Sequence, residues 1–151
     1  MTGVIHRAYA RHARQGLQFW ATRQTVDDTA RRFDKGQGFV AELDGALIGT
    51  ITMMGPRPDS PVAWYREAAS RSFGQFAVDP GHGGCGVGRA LHEHVLACAR
   101  EEGAQRMVID TAAPADELIA MYRAWGYEIC GDCDWRPKTN YPSIVMTRAL
   151  A

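Results

Sequence analysis

The sequence has 151 residues, of which 46% are hydrophobic, and its 17 lysines and arginines balance 17 aspartates and glutamates. This size suits one domain with a single core, and a net charge of zero provides no field that attracts nucleic acid or an anionic membrane. The chain has no apolar run of the roughly 20 residues that a membrane span needs and no signal-peptide pattern. We therefore expect one cytoplasmic domain over residues 1–151. Four cysteines are expected to be free thiols, because a core of this size needs no disulfides: Cys85, Cys98, Cys130 and Cys133.

The first third of the chain is predicted to form two helices and a strand pair. Four residues at helical spacing predict the first helix: Ile5, Ala8, Tyr9 and His12. A second helix is predicted to begin after Thr25, which forms a capping-box pattern with Asp28, and to end at Gly36. In residues 38–54, two apolar runs flank Asp44-Gly45, a dipeptide that favours a tight hairpin turn.

The rest of the chain is predicted to alternate strands and helices after a proline-containing loop at residues 55–72. Short apolar runs predict four strands, at residues 73–78, 106–112, 127–135 and 143–149. Two apolar stripes predict helices between them: Val87, Leu91, Val95 and Cys98 in one, and Leu118, Met121, Tyr122 and Trp125 in the other.

Five glycines lie between Gly81 and Gly88, where a predicted strand passes into the longest predicted helix. The first turn of a helix exposes N–H groups without partners at the positive end of the helix dipole. Glycine gives a phosphate the clearance to reach them. The loop at residues 83–89 therefore predicts a phosphate-bearing ligand, and the alternative is a plain glycine-rich connection.

Two familiar phosphate motifs compete for this loop. A nucleoside-triphosphate loop needs Gly-Lys-Ser/Thr, but Gly88 is followed by Arg89-Ala90. A dinucleotide fingerprint is matched in spacing by three glycines, Gly81, Gly83 and Gly86, and Asp110 stands at the end of the next strand. That fingerprint normally opens a series of parallel strand–helix units, whereas here a hairpin precedes the glycines.

The order of the elements resembles the GNAT family of acyl-CoA-dependent N-acyltransferases, most strongly between Gln75 and Tyr127. The pyrophosphate motif of that family reads Arg or Gln, two residues, Gly, one residue, Gly or Ala. It falls on residues 83–88 and matches at its last two glycines. The resemblance implies an α/β fold of the α+β type, in which helices flank a central mixed and mostly antiparallel sheet.

The sequence departs from the family pattern at three places. Gly83 replaces the opening Arg or Gln of the motif, which leaves His82 or Arg89 to compensate. Ala115 replaces an asparagine that is common at the start of the last helix. Few residues precede Val4, so the first strand of the family is expected to be short or absent.

The resemblance implies that the co-substrate is acetyl-CoA and that no metal is used. In the family, the strand end pairs with the pantetheine arm and the glycine turn holds the pyrophosphate. By position, the residues that bind it are Phe76, Ala77, Val78, Gly83, Gly84, Cys85, Gly86, Val87, Gly88 and Arg89. The amide near Phe76 would polarise the thioester carbonyl, and one such donor contributes about 3 kcal/mol.

The sequence MYRAWGY places Tyr122 where the family has the tyrosine that protonates the departing thiolate. The catalytic residue implied by the resemblance is therefore Tyr122, and the alternative is a purely packing role in its apolar stripe. The resemblance further implies an N-acetyltransferase that acts by direct attack of the amine in a ternary complex. A non-catalytic acyl-CoA sensor module and a dinucleotide-binding protein are the alternative functions.

The acceptor is expected to be a primary amine of a small molecule or peptide, and nothing in the sequence identifies it. Candidate substrate residues are Trp64, Gln75, Thr111, Trp135 and Tyr141. The amine must lose a proton before it attacks, but residues 73–76 lack the glutamate that family members often place there. Three acids are candidates for the base: Glu67, Asp110 and Asp134. No nucleic-acid or membrane partner is expected, and the resemblance allows a homodimer.

The pair Cys130 and Cys133 has the spacing of a zinc or redox motif, but no second cysteine pair stands at ligand spacing. Residues three apart on a strand also point to opposite faces. His92 and His94 lie about 200° apart around a helix, so they do not share an ion. The sequence therefore predicts no metal site.

Overall fold

The computed structural model describes all of residues 1–151, which form six strands and five helices. The helices are α1 (Thr2–Arg14), α2 (Val26–Asp34), the short α3 (Ala63–Arg66), α4 (Val87–Glu101) and α5 (Asp116–Ala124). The strands are β1 (Gly36–Leu43), β2 (Ala46–Met54), β3 (Ser70–Val78), β4 (Arg106–Ala112), β5 (Glu128–Cys133) and β6 (Ser143–Ala149). None of the helices combines the length and the apolarity that a membrane crossing requires.

The six strands form one sheet in the order β1-β2-β3-β4-β6-β5. Every neighbouring pair is antiparallel except β3 and β4, which run parallel. The structure therefore confirms the mixed, mostly antiparallel sheet that the sequence predicted.

The central parallel pair of strands separates after a short contact. Ser70, Arg71 and Ser72 of β3 register with Arg106, Met107 and Val108 of β4, and the pairing stops there. β3 stays paired with β2 as far as Val78, while β4 stays paired with β6 as far as Ala112. Beyond Ser72, the edges that β3 and β4 turn toward each other are therefore free of strand partners.

β3 carries a bulge beside this opening. Thr50 pairs with Ala77 and Thr52 with Gly74, so Gln75 and Phe76 together oppose one residue of β2. Gln75 has φ 50°, a left-handed conformation that a non-glycine residue rarely adopts. Because a bulge interrupts the ladder locally, backbone groups at residues 75–76 are turned away from β2.

Helices cover both faces of the sheet. On one face, α4 and α5 pack on the strands through the main core, which includes Ile51, Leu91, Val95, Leu96, Met107, Tyr122 and Met146. On the other face, α1 places Val4 and Ile5 against Ala77 of β3. A separate cluster on this second face joins Tyr65 of α3 to Val108 of β4. The opening between β3 and β4 thus has α5 on one side and the segments around α1 and α3 on the other.

Two local predictions are confirmed in detail. The hydroxyl of Thr25 accepts a hydrogen bond from the backbone N–H of Asp28, and the carboxylate of Asp28 accepts one from the backbone N–H of Thr25, as a capping box requires. The β1–β2 hairpin turns at Asp44 and Gly45, which have φ angles of 50° and 79°.

Two predicted boundaries were wrong. Residues 55–72 are not one loop, because α3 lies within them and Ser70–Ser72 begin β3. Ser70 and Ser72 are buried, and their polarity concealed the start of the strand. β5 is also shorter than predicted and ends at Cys133. The first element of the described chain is α1, and no strand precedes it within residues 1–151.

Candidate functional site

A cavity of about 420 Å³ lies where β3 and β4 separate, and we call it the aromatic cavity. Nine aromatic side chains contribute to its wall: Tyr9, Phe19, Trp20, Tyr65, Phe73, Phe76, Tyr122, Trp135 and Tyr141. A volume of this size is typical of sites for small ligands. The floor comes from residues 73–76 of β3 and residues 109–111 of β4, which are the parts of the two strands that no longer pair.

A second cavity of about 440 Å³, which we call the glycine groove, runs along the end of β3 and the start of α4. It includes nine of the ten residues implied to bind acetyl-CoA: Phe76, Ala77, Val78, Gly83, Gly84, Gly86, Val87, Gly88 and Arg89. The tenth, Cys85, is exposed and does not line the groove. His82, which was expected to compensate for the lost motif side chain, is also part of the lining.

The aromatic cavity and the glycine groove meet. Four residues line both of them: Tyr9, Phe76, Leu118 and Tyr122. A ligand that extends along β3 from the groove would therefore reach the aromatic cavity at Phe76 and Tyr122.

The start of α4 is built to receive an anion. Its N-cap is Gly86, with φ 81°, and neither a side-chain cap nor an acidic residue stands in its first turn. A Cβ placed on Gly84 or Gly86 would meet no atom within 4 Å, so the space in front of the helix is open. The N–H groups of the first turn consequently face the glycine groove without a side-chain acceptor. A pyrophosphate fits this end of the groove.

The start of α4 lies against the end of β3. A Cβ on Gly88 would lie 3.4 Å from side-chain atoms of both Phe76 and Val78, which is an ordinary van der Waals contact. The helix N-terminus is therefore beside the strand end.

Tyr122 lies at the junction of the two cavities. Its side chain contacts the rings of Phe73, Trp125 and Tyr127, and only 8% of the residue is exposed. Burial, with a further contribution from Tyr9, raises the pKa of Tyr122 well above its usual value. The phenol is therefore protonated at neutral pH, and its hydroxyl makes no hydrogen bond within the protein. Tyr122 packs in the core and also presents a free proton donor to both cavities.

Asp110 is the only carboxylate among the residues that line the aromatic cavity. The hydroxyl of Tyr65 donates a hydrogen bond to its Oδ1 at 2.5 Å, and the indole N–H of Trp135 donates to its Oδ2 at 2.9 Å. Burial, and next to it the contact with Asp110, raises the pKa of Tyr65 well above its usual value, so Tyr65 acts as a donor here. Two donors thus hold the carboxylate in one position at the edge of the cavity.

The side chain of Gln75 stabilises the bulge of β3 through hydrogen bonds. It is 3% exposed, its Nε2 donates to the hydroxyl of Thr52 at 3.1 Å, and its Oε1 accepts a bond from Gln24 at 2.7 Å. Because these buried partners engage both ends of the amide, Gln75 contributes to the cavity mainly through its backbone. The carbonyl of Phe76 accepts a bond from the hydroxyl of Tyr9 at 3.1 Å.

The other predicted substrate residues divide into two groups. Thr111, Trp135 and Tyr141 line the aromatic cavity. Trp64 does not, and the expectation that it forms part of the pocket wall is corrected. Its ring lies under the guanidinium of Arg106 at 4.8 Å and packs beside the cluster that contains Tyr65.

Of the three candidate bases, two lie outside the cavity. Glu67 is 3.5 Å from the guanidinium of Arg106. Asp134 pairs with Arg136, which lowers the pKa of Asp134 to about 2. Asp110 is the candidate that the structure brings together with Tyr122.

Sequence reasoning missed two arginines of the aromatic cavity, Arg32 and Arg57. Arg32 lies on α2, and neither its helix face nor its neighbours distinguish it from the other basic residues near the N-terminus. Arg57 stands between two prolines in the segment that was predicted as a loop, and that rigid setting was the one available signal.

All four cysteines are unpaired in the structure. Cys130 is at the bulge of β5, and burial raises the pKa of Cys133 to about 12. No three His, Cys, Asp or Glu side chains gather as a metal site would require.

The central strands part beside an uncapped helix N-terminus, and this arrangement agrees with the resemblance to acyl-CoA-dependent acyltransferases. The sequence model of the acetyltransferase (GNAT) family matches residues 5–127. The chain belongs to this family.

Individual relatives and solved structures agree with this assignment. A mycothiol acetyltransferase of Cellulomonas flavigena is 32% identical over 130 residues, which are 82% of this chain and 35% of that protein. The chain therefore spans about a third of the length of that relative.

Solved structures share the fold. The ribosomal-protein-alanine N-acetyltransferase of Brucella melitensis aligns with a TM-score of 0.70 at 20% identity, over 98% of this chain and 93% of that one. A GNAT family acetyltransferase from Elizabethkingia anophelis with acetyl-CoA bound aligns with a TM-score of 0.62 at 14% identity, over 83% of each chain.

Proposed function

We propose that this protein is an N-acetyltransferase that moves the acetyl group of acetyl-CoA to a primary amine by direct attack in a ternary complex. The observation that carries the proposal is the junction of the glycine groove and the aromatic cavity at Phe76 and Tyr122. One cavity has the features of a pyrophosphate site, and the other has the size and walls of a small-ligand site. Proteins similar to this chain are named mycothiol acetyltransferase and ribosomal-protein-alanine N-acetyltransferase, and both names describe acetyl transfer.

Acetyl-CoA would lie in the glycine groove. The first turn of α4 would hold its pyrophosphate through the N–H groups that follow Gly86, and Arg89 is exposed nearby to pair with a phosphate. The free edge of β3 from Phe76 to Val78 would hold its pantetheine arm through backbone hydrogen bonds. The acetyl thioester supplies the activated acyl group for the reaction.

The bulge would supply a backbone donor at the site of transfer. Gln75 and Phe76 are turned out of the β2 ladder, and buried bonds of the Gln75 side chain keep them there. An N–H group fixed in this way stabilises negative charge that develops on a carbonyl oxygen, with an effect of about 3 kcal/mol.

Two side chains would carry out the proton transfers of the reaction. Asp110 would accept a proton from the incoming ammonium, directly or through one water, because an alkyl ammonium with a pKa near 10 must first be neutralised. Tyr122 would donate its hydroxyl proton to the departing sulfur. The neutral amine attacks the thioester carbon, so the C–N bond forms and the C–S bond breaks. The second proton of the attacking nitrogen then returns to the Tyr122 phenolate, directly or through water, and the proton held by Asp110 is released to solvent.

The test is release of free thiol from acetyl-CoA in the presence of a panel of primary amines. Replacing Tyr122 with Phe should lower kcat by about a hundredfold or more while leaving the Kd for acetyl-CoA unchanged. Tyr127→Phe is the matched control, because Tyr127 is a buried phenol that bonds to His92 and lines neither cavity. Binding of acetyl-CoA without thiol release above background would instead identify a sensor module.

A further inference from the structure

The aromatic cavity contains more positive than negative charge. Arg32, Arg57 and Lys138 line it, and Asp110 is the only acid. Neither Arg32 nor Arg57 takes part in any of the ion pairs of the protein. Two half-buried guanidiniums without a carboxylate partner are unusual, because burying a charge is costly unless it is paired.

Arg57 is held flat against an aromatic ring. Its guanidinium lies 3.8 Å from the centre of the Tyr65 ring, and its backbone N–H donates to the carbonyl of Tyr65 at 2.7 Å. Its Nε is fully buried and has no hydrogen-bond partner. Stacking fixes the plane of a guanidinium and leaves the N–H groups at its edge free for a planar anion.

Arg32 reaches the cavity from α2, across β3. One of its terminal nitrogens donates to Oε1 of Gln24 at 2.9 Å. The other lies over Gly74, where a Cβ would come within 2.7 Å of it. Burial lowers the pKa of Arg32, which shows that its charge is partly removed from water. Gly74 therefore provides room for a positive group on β3.

One of the positive groups and the acid contact the same phenol ring. Arg57 stacks on the face of the Tyr65 ring, and the hydroxyl of that ring donates to Asp110. A ligand bound here would meet the cation at the ring face and the anion at the hydroxyl, with aromatic walls around both. The complementary ligand has an ammonium, an anionic group a few bonds away, and an apolar body.

We propose that the acceptor is an amino acid with an apolar side chain, whose ammonium faces Asp110 and whose carboxylate binds Arg32 and Arg57. This inference rests on the proposed function, because it assigns the substrate class of the same site. The carboxylate of the amino acid would give both guanidiniums the anionic partner that they lack within the protein. The nine aromatic residues would accommodate its side chain.

Matched sets of amines test the inference on the unmodified protein. One set is L-phenylalanine, L-phenylalaninamide and 2-phenylethylamine, and a second is L-leucine, L-leucinamide and 3-methylbutylamine. Each set keeps the apolar body and changes only the carboxylate. With rates corrected for the fraction of neutral amine, kcat/KM should be about tenfold or more higher for the amino acid in each set.

Variants of the two arginines test whether these side chains cause the preference for the carboxylate. Arg57→Gln and Arg32→Gln should each reduce the ratio of kcat/KM for the amino acid to kcat/KM for its amide by about tenfold. Arg123→Gln is the control, because Arg123 is exposed on α5, lacks an ion pair and lines neither cavity. It removes the same charge and should leave the preference intact.

The outcomes separate the two proposals. Acetylation of amines without regard to the carboxylate, or a preference that survives both arginine variants, would overturn the substrate class and leave the acetyltransferase function standing. Binding of acetyl-CoA with no acetylation of any amine would overturn the proposed function itself.

Discussion

Replacing Asp110 with Asn removes the only carboxylate of the aromatic cavity while keeping its shape. If Asp110 accepts the proton of the acceptor ammonium, the loss of this base should lower kcat/KM by between about 10² and 10⁴. The substitution also has a structural cost, because Tyr65 and Trp135 both donate to the carboxylate. An amide offers one acceptor oxygen in place of two, so one donor loses its partner, at about 1–3 kcal/mol.

The two effects of Asp110→Asn can be measured separately. Thiol release gives kcat/KM, urea unfolding gives the free energy of unfolding, and titration gives the Kd for acetyl-CoA. We expect a rate loss of a hundredfold or more, a modest loss of stability and an unchanged Kd, because Asp110 does not line the glycine groove. Tyr65→Phe is the control: it removes one hydrogen bond to Asp110 but keeps the carboxylate, and should cost less than tenfold in rate.

A rate for Asp110→Asn within threefold of the wild type, measured on folded protein, would refute Asp110 as the base. Equal rate losses in Asp110→Asn and Tyr65→Phe would show that the position of the side chain matters and its proton affinity does not.

Three further predictions concern the groove and the stability of the fold. Gly86→Ala should lower the free energy of unfolding by about 1 kcal/mol, because φ is 81° and the added methyl group meets no other atom. A much larger loss in a melting experiment would contradict this account. Thr25→Ala should cost about 1 kcal/mol in urea unfolding through the lost cap of α2 and leave kcat unchanged; an unaltered stability would argue against the cap. His92 is buried and its pKa is lowered to about 4, so the unfolded chain binds more protons between pH 4 and pH 6.5. The protein should therefore lose about 2 kcal/mol of stability from pH 7 to pH 5, and His92→Gln should remove that part of the pH dependence.

Local sequence signals predicted much of the fold. The Thr25 cap, the Asp44-Gly45 hairpin and the glycine-rich start of α4 are determined by residues close in sequence, and each is found where expected. The start of β3 was missed because Ser70 and Ser72 are polar yet buried, and their burial depends on β4, which follows more than thirty residues later. No local pattern reports such a contact.

The site was only partly predictable for the same reason. One wall of the groove follows from the contiguous stretch of residues 76–89, so nine of the ten residues implied to bind acetyl-CoA line it, whereas α1 and α5 supply the rest. The aromatic cavity gathers residues from α1, α2 and α5, from three strands, and from the segments before α2, around α3 and before β6. Arg32 and Arg57 enter it through their tertiary positions, and Trp64 is kept out of it by Arg106. The separation of β3 from β4, which creates the cavity, is a property of strand pairing and has no sequence signal of its own.

The central claim is that the groove and the cavity form one continuous path that passes Tyr122. A crystal structure of the protein with coenzyme A tests this most directly. We expect the pyrophosphate on the N–H groups of the first turn of α4, the pantetheine arm along the free edge of β3, and the sulfur within hydrogen-bonding distance of the Tyr122 hydroxyl. Coenzyme A bound elsewhere, or a sulfur on the far side of β3 from Tyr122, would contradict the account.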